Sequence, residues 1–230
     1  MKDQSNDRND SSVRVVPMAR CPFCFELKKQ VLPSSDRERL GIRNRIVYST
    51  ANFAVLVDIS PLVPGHVLIV PKDHYLSFGN LPGDLVVEYE MLVETVRKVI
   101  TSIWTPPVLM EHGSSNTQDG GACIAHAHLQ VLPASLDMLR PMGVLRPRRL
   151  AGRRDVSAWG RADKPYMFLE NAAGECYLAD ELDGLEHQFI RREAAAQLGI
   201  PEPEWDWRST RRSELVRETC RTLREAPWKA

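Results

Sequence analysis

The chain lacks a charge of one prevailing sign: 30 Lys and Arg are matched by 30 Asp and Glu over 230 residues. That balance argues against nucleic acid or an anionic membrane as the main partner and points to a small molecule. No run approaches the roughly 20 consecutive apolar residues of a membrane-spanning helix. The opening MKDQSNDRND has no apolar core of a secretory signal, so a cytoplasmic protein is expected. Cysteine is scarce and odd in number, and five residues suit reduced thiols or metal ligands better than a disulfide framework. Internal repeats are absent too. The length allows one sizeable domain with an appendage, or two small domains.

Residues 1 to 18 are polar and aperiodic and read as a disordered tail. RIVYST (45 to 50), FAVLVDIS (53 to 60) and HVLIVPKDH (66 to 74) are β-rich and divided by turn signals such as PLVPG, which predicts consecutive antiparallel strands. From 84 to 104, Leu85, Tyr89, Leu92, Val96, Val99 and Ile103 recur at helical spacing and predict a long amphipathic helix. VLMEHG (108 to 113) reads as a strand and SSNTQDGG as a loop. The Arg- and Pro-rich LRPMGVLRPRRLAGRRD from 139 reads as a solvated linker, with a phosphate-gripping loop as the alternative. PYMFLENAAGECYLAD reads as a hairpin turning at Asn171 to Gly174, and residues 185 to 198 as a helix stopped by Gly199 and Pro201.

GGACIAHAHLQVLP (120 to 133) puts His126, His128 and Gln130 at alternate positions, hence on one face of a strand, with Ala127, Leu129 and Val131 on the other. The bland reading is a half-buried strand with a wet polar face. The chemical reading starts from histidine, whose ordinary pKa suits nucleophilic or acid/base work near neutrality. A neutral imidazole attacks through one nitrogen only if the other holds the proton, usually against a backbone carbonyl. Attack at a nucleotide's α-phosphorus would split one transfer into two easier steps, with charge developing on the phosphoryl oxygens. Gln130 offers an amide donor but cannot give or take a proton, which favours leaving groups and acceptors that are already acidic. Cys21 and Cys24 in CPFC supply half of a tetrahedral zinc site, which needs two more N or S ligands; the alternative is two reduced, buried thiols.

Through HAHLQVL, VDISPLVPGHVLIVPKDH (57 to 74) and CPFC, the chain resembles the histidine-triad superfamily. Its Gln in the third triad position is the form of the galactose-1-phosphate uridylyltransferase-like branch. The resemblance covers residues about 20 to 135. It implies an α+β fold, an antiparallel sheet with a long packed helix, to which this chain adds a C-terminal hairpin-and-helix extension. The implied layout is a nucleotide-binding catalytic core over 19–140 and an extension over 141–230 for specificity or dimerisation.

Residue by residue, the resemblance makes His128 the covalent nucleophile and Gln130 the group that orients the phosphoryl. Asp58 falls where members bind the ribose hydroxyls, Phe23 near the base pocket, and Gly121 at a loop glycine where backbone approaches phosphate. Cys123 stands where many members carry a phosphate-contacting Ser. Ser114, Ser115 and Asn116 are candidate phosphate or substrate contacts, or an ordinary polar loop. In zinc-containing relatives the other two ligands correspond to His74 and His126, which would complete a structural Zn2+ site with Cys21 and Cys24. His66 is expected to be structural, His112 to stand near the phosphates, and His187 to be without a role.

The implied activity is transfer of a nucleoside monophosphate through a nucleotidyl-histidine to phosphate or a phosphorylated acceptor, by a homodimer that needs no redox cofactor. The alternatives are hydrolysis of dinucleoside polyphosphates or nucleotide conjugates, and a non-catalytic nucleotide-binding module. In the extension, Arg191 and Arg192 read either as anion binders or as a solvated face. The tryptophans of PEWDWR (203 to 208) read as anchors for the extension.

Overall fold

Strands β1 (Ile46–Ser49), β2 (Phe53–Val57) and β3 (Val67–Pro71) follow one another as the turn signals predict, each antiparallel to the last. The computed structural model describes residues 21–116 and 124–228. The turn between β2 and β3 depends on Gly65: its φ is +81°, and a Cβ there would meet the Trp104 ring at 2.5 Å. Helices α1 (Pro22–Lys29) and α2 (Ser34–Leu40) precede the strands; α1 starts with Pro at its first position, where the missing N–H costs nothing. Helix α3 (Gly83–Ile103) buries Tyr89, Leu92, Val93, Val96, Val99 and Ile100 on one stripe.

Strands β4 (Val108–Gly113) and β5 (Leu129–Leu132) come next, then α4 (Leu139–Met142), β6 (Arg148–Leu150) and α5 (Ser157–Arg161). Strands β7 (Tyr166–Glu170) and β8 (Cys176–Ala179), then helices α6 (Phe189–Gln197) and α7 (Ser213–Arg224), complete the order. All strands join one antiparallel sheet in the order β1-β2-β3-β5-β4-β7-β8-β6, which runs on past residue 140 through the β4–β7 pairing. No helix among the described residues is long and apolar enough to cross a membrane.

Alternation sorts the strand residues onto two faces. Phe53, Val55, Val57, Ile69, Leu109, Leu129 and Val131 pack in one core with the stripe of α3. On the other face Ala54, Leu56, Leu68 and Val70 meet Phe23 and Leu27 of α1, whereas Met110, Leu132, Met167 and Leu169 meet Phe189, Ala194 and Ala195 of α6. Gln130, whose neighbours Leu129 and Val131 belong to the α3 core, points to this second face, between the two clusters. The wet face expected from the sequence is therefore walled on both sides.

The Arg-rich stretch is not a solvated linker. Arg148 and Arg149 lie in the edge strand β6, and Arg153 folds back onto Glu170, which is 1% exposed, with Arg97 as a second partner. Helix α6 starts at Phe189 rather than 185 because Gln188 adopts a left-handed φ of 61° and turns its side chain inward to Asp206.

Candidate active site

His126 ends a bend and His128 follows it in the short segment that leads into β5, which itself starts at Leu129. This segment is fixed by backbone bonds: Ala127 N–H donates to the Tyr75 carbonyl at 2.7 Å, and β5 is flanked by β3 and β4. His128 Nδ1–H donates to the His126 carbonyl at 2.8 Å. That bond assigns the proton to Nδ1 and leaves the Nε2 lone pair for chemistry. Burial pushes the His128 ring below its ordinary pKa, against the pull of that carbonyl, so the ring is neutral at pH 7.

His128 and Gln130 line a cavity with Phe23, Asp58 and His112. The Phe23 ring packs against both histidines, with centroids 5.6 Å from His126 and 5.4 Å from His128. It is held by Arg45, whose guanidinium lies 5.7 Å from the Phe23 centroid. Arg45 is itself buried: it forks onto the Glu26 carboxylate and donates to the Val57 carbonyl at 2.8 Å. A planar guanidinium satisfied on three sides is a rigid support for a ring.

Asp58 is fixed through Oδ1, which accepts from Ser60 N–H at 2.8 Å and from Arg191 Nη1 at 3.2 Å. Arg191, 5% exposed, also donates to the carbonyls of Ser60 and Trp205. Burial would raise the Asp58 carboxyl, but Arg191, His66 and the Ser60 N–H outweigh it and hold the group well below the usual carboxylate range. A charged carboxylate with Oδ2 outside both bonds can accept from vicinal hydroxyls. His66 is fully buried, and burial pushes it down to about 4 despite Asp58 beside it. Its Nδ1 accepts from Leu62 N–H at 3.2 Å, which places the proton on Nε2.

Next to this cavity the structure gathers Cys21, Cys24, His74 and His126. Their ligand atoms lie within 4.8 Å of one another. His126 Nδ1 is 3.3 Å from Cys21 Sγ and 3.5 Å from Cys24 Sγ, and His74 Nδ1 is 3.2 Å from Cys24 Sγ. A tetrahedral Zn2+ with Zn–S near 2.3 Å and Zn–N near 2.0 Å sets ligand-to-ligand edges of about 3.5 Å. His126 Nε2–H donates to the Pro71 carbonyl at 2.9 Å, which turns the Nδ1 lone pair towards the sulfurs as a bound metal requires. Donor set, spacing and tautomer all fit a structural zinc. Cys176 and Cys220 lie outside this group, and burial pushes both thiols up to about 11.

Ser114 and Ser115 are buried but are not among the residues that line the cavity, and Asn116 is tied to Asp163 through its N–H at 2.9 Å. Gly121 and Cys123 lie outside the described residues, as does the polar segment before Cys21. Sequence reasoning missed a whole wall: Gln188, Ile190, Trp207 and Arg211 line the same cavity. So does Asp36, which pairs with Arg211 at 2.8 Å across 175 positions of sequence, a separation that leaves no local signal.

Residues 39–135 match the family model of the HIT domain. That segment, rather than the whole chain, is similar to the HIT domain; it holds Asp58, His74, His126, His128 and Gln130 but neither the cysteine pair nor the wall beyond residue 188. An uncharacterized HIT-like protein of Saccharolobus solfataricus is 33% identical over 92 residues, 38% of this chain and 63% of that protein. The asymmetrical bis(5'-nucleosyl)-tetraphosphatase of Schizosaccharomyces pombe is 24% identical over 95 residues, 41% of this chain and 52% of its own length. This chain thus spans between half and two thirds of these two relatives. A zinc-bound histidine triad family protein of Mycobacterium smegmatis has a solved structure with a TM-score of 0.40 and 18% identity, covering 63% of this chain and 92% of that one.

Proposed function

We propose that the protein is a nucleotidyltransferase or phosphorylase that works through a covalent nucleotide on His128. The observation that carries this reading is the 2.8 Å bond from His128 Nδ1 to the His126 carbonyl, in a cavity shared with Gln130 and Asp58. His128 Nε2 attacks the α-phosphorus, and a P–N bond forms as the bridging P–O bond breaks. The leaving phosphate-containing group takes the electron pair. The imidazole gains positive character, which the His126 carbonyl stabilises without removing the proton. In the second step an oxygen of phosphate or a phosphorylated acceptor attacks, the P–N bond breaks, and His128 returns to its starting form.

Gln130 donates to the phosphoryl oxygens as their charge grows. Having no proton to give, it selects leaving groups and acceptors that need none. Asp58 Oδ2 takes the ribose hydroxyls. Cys21, Cys24, His74 and His126 would hold a zinc ion whose role would be a structural cross-link between α1 and the segment whose carbonyl orients His128.

Hydrolysis is the second reading, favoured by His112 in the same cavity as an acid or base for water and by the tetraphosphatase activity named for the fission-yeast relative. Intact-protein mass spectrometry after brief incubation with dinucleoside polyphosphates, nucleotide sugars and nucleoside phosphosulfates tests the covalent step. The expected result is a nucleotidyl adduct on wild type and none on His128→Ala. Product analysis with a dinucleoside tetraphosphate separates the two activities: transfer to phosphate yields nucleoside diphosphate beside the nucleoside triphosphate leaving group, and only when phosphate is present, whereas nucleoside monophosphate beside the triphosphate in both conditions would establish hydrolysis.

A further inference from the structure

The wall beyond residue 188 holds two polar groups that the chemistry above does not use. Gln188 is 7% exposed; its Nε2 donates to Asp206 Oδ1 at 2.9 Å, and its Oε1 is buried with no partner among the described residues. Arg211 donates from Nε to Asp36, and its Nη1 is likewise buried and unpartnered. An unmet buried polar group costs about 1–3 kcal/mol, so a donor and an acceptor left open on one cavity call for a ligand that satisfies both. Trp207 lines the same cavity, with the Arg211 guanidinium 5.9 Å from its ring centroid.

The character of these groups selects the ligand. Arg211 and Asp36 form an ion pair with each side chain 14% exposed, so what Arg211 still offers is a hydrogen-bond donor rather than net positive charge. Gln188 Oε1 is an acceptor and would repel the oxygens of a phosphate, which has none but acceptors to present. Beside these two groups the cavity presents aromatic and aliphatic surface from Trp207, Phe23, Ile59 and Ile190. One donor, one acceptor and aromatic faces match a heterocycle that carries its own acceptor and N–H donor along one edge.

We infer that the segment 188–211 reads the nucleobase of the bound nucleotide: Trp207 packs against the ring, Arg211 Nη1 donates to a base acceptor, and Gln188 Oε1 accepts from a base N–H. The inference rests on the nucleotide reading given above. Arg191, which fixes the ribose-facing Asp58, belongs to the same segment, so base and sugar are gripped by one frame. This gives the extension a task in specificity that the HIT segment alone does not perform.

The test is calorimetric titration of the purified full chain with the 5'-monophosphates of adenosine, guanosine, cytidine and uridine, and with ribose 5-phosphate as the baseless probe. A hydrogen bond to a charged group is worth about 10- to 100-fold in Kd. One base should therefore outrank the weakest by at least about tenfold. Arg211→Lys keeps a cation for Asp36 but loses the planar fork, and should compress that ranking to within about threefold while ribose 5-phosphate binds as before. Trp207→Leu should weaken all four nucleotides and spare ribose 5-phosphate. Four bases bound equally by wild type, or a wild-type ranking retained in both folded variants, would overturn the inference and leave the nucleotide reading standing. Failure of all five probes to bind wild type would overturn both.

Discussion

Replacing Glu111 by Gln should change how stability depends on pH by an amount that the structure sets. Glu111 is 2% exposed on β4; its Oε1 accepts from Phe78 N–H at 2.7 Å and its Oε2 from the Tyr166 hydroxyl at 2.6 Å. Burial raises the carboxyl from 4.5 to about 7 in spite of those two donors. A folded pKa above the unfolded one means that the folded state holds the proton more tightly between the two values. Its contribution is therefore complete below pH 4.5 and is lost as pH rises through 7. The full span is about 3.4 kcal/mol, of which about 2.5 kcal/mol falls between pH 5 and pH 8.

His66 works against this slope. Burial lowers it to about 4, so its stabilising share is present above 6.5 and lost as pH falls through 4. The other buried histidines, His126 and His128, tilt the wild-type profile in the same sense as His66, so only the difference between wild type and Glu111→Gln isolates the carboxyl. Gln has the shape of the protonated acid and cannot ionise. Urea unfolding at pH 5 and pH 8 should show wild type losing about 2.5 kcal/mol more than the variant over that interval. Parallel profiles would refute the raised carboxyl and the linkage reasoning with it.

Elemental analysis should find about one zinc per chain, and chelation should lower the melting temperature and the yield of His128 adduct together; metal-free protein of unchanged melting temperature would remove zinc from the account. Arg191→Met strips three hydrogen bonds and takes from the buried Asp58 carboxylate its guanidinium partner. The expected loss is about 3–5 kcal/mol in urea unfolding, partly recovered when Asp58→Asn is added. Gly160→Ala would place a Cβ 1.9 Å from the Gly79 carbonyl oxygen, backbone against backbone. It should cost about 1–3 kcal/mol or more, and a melting temperature equal to wild type would contradict the packing of α5 on the turn at residue 79.

The parts of this molecule that were legible in its sequence are those written in local period. Strands β1 to β4, helix α3 and the β7–β8 hairpin announce themselves by alternation, by 3.6-residue spacing and by turn residues, and all stand where expected. The clustering of Cys21, Cys24, His74 and His126 was readable because a motif resemblance supplied the long-range pairing that spacing cannot. Illegible were the features that depend on partners far along the chain. Arg153 looks solvated until Glu170 folds over it, and α7, with its charged surface, is defined by packing Val216, Cys220 and Leu223 into the core. Arg191, left open as anion binder or solvated face, turned out to be internal: its charge is spent on Asp58 and two carbonyls, while the neighbouring Arg192 pairs with Glu186 at the surface.

The pairing of β7 with β4 bears on self-association. Strand β4 would otherwise end the sheet on that side, with a row of free N–H and C=O groups ready to accept a strand from another molecule. The chain fills that edge with its own hairpin, so the sheet now terminates at β1 and at β6. A second copy that extends the sheet must do so at one of those ends. At β6 it meets a strand of only three residues whose Arg148 and Arg149 are already paired with Asp180 and Glu175. At β1 it meets a four-residue strand backed by the Trp228–Tyr48 stack, with ring centroids 4.8 Å apart. The hairpin thus confines any shared-sheet homodimer to the margins of the molecule and leaves the helical faces as the broader ground for one.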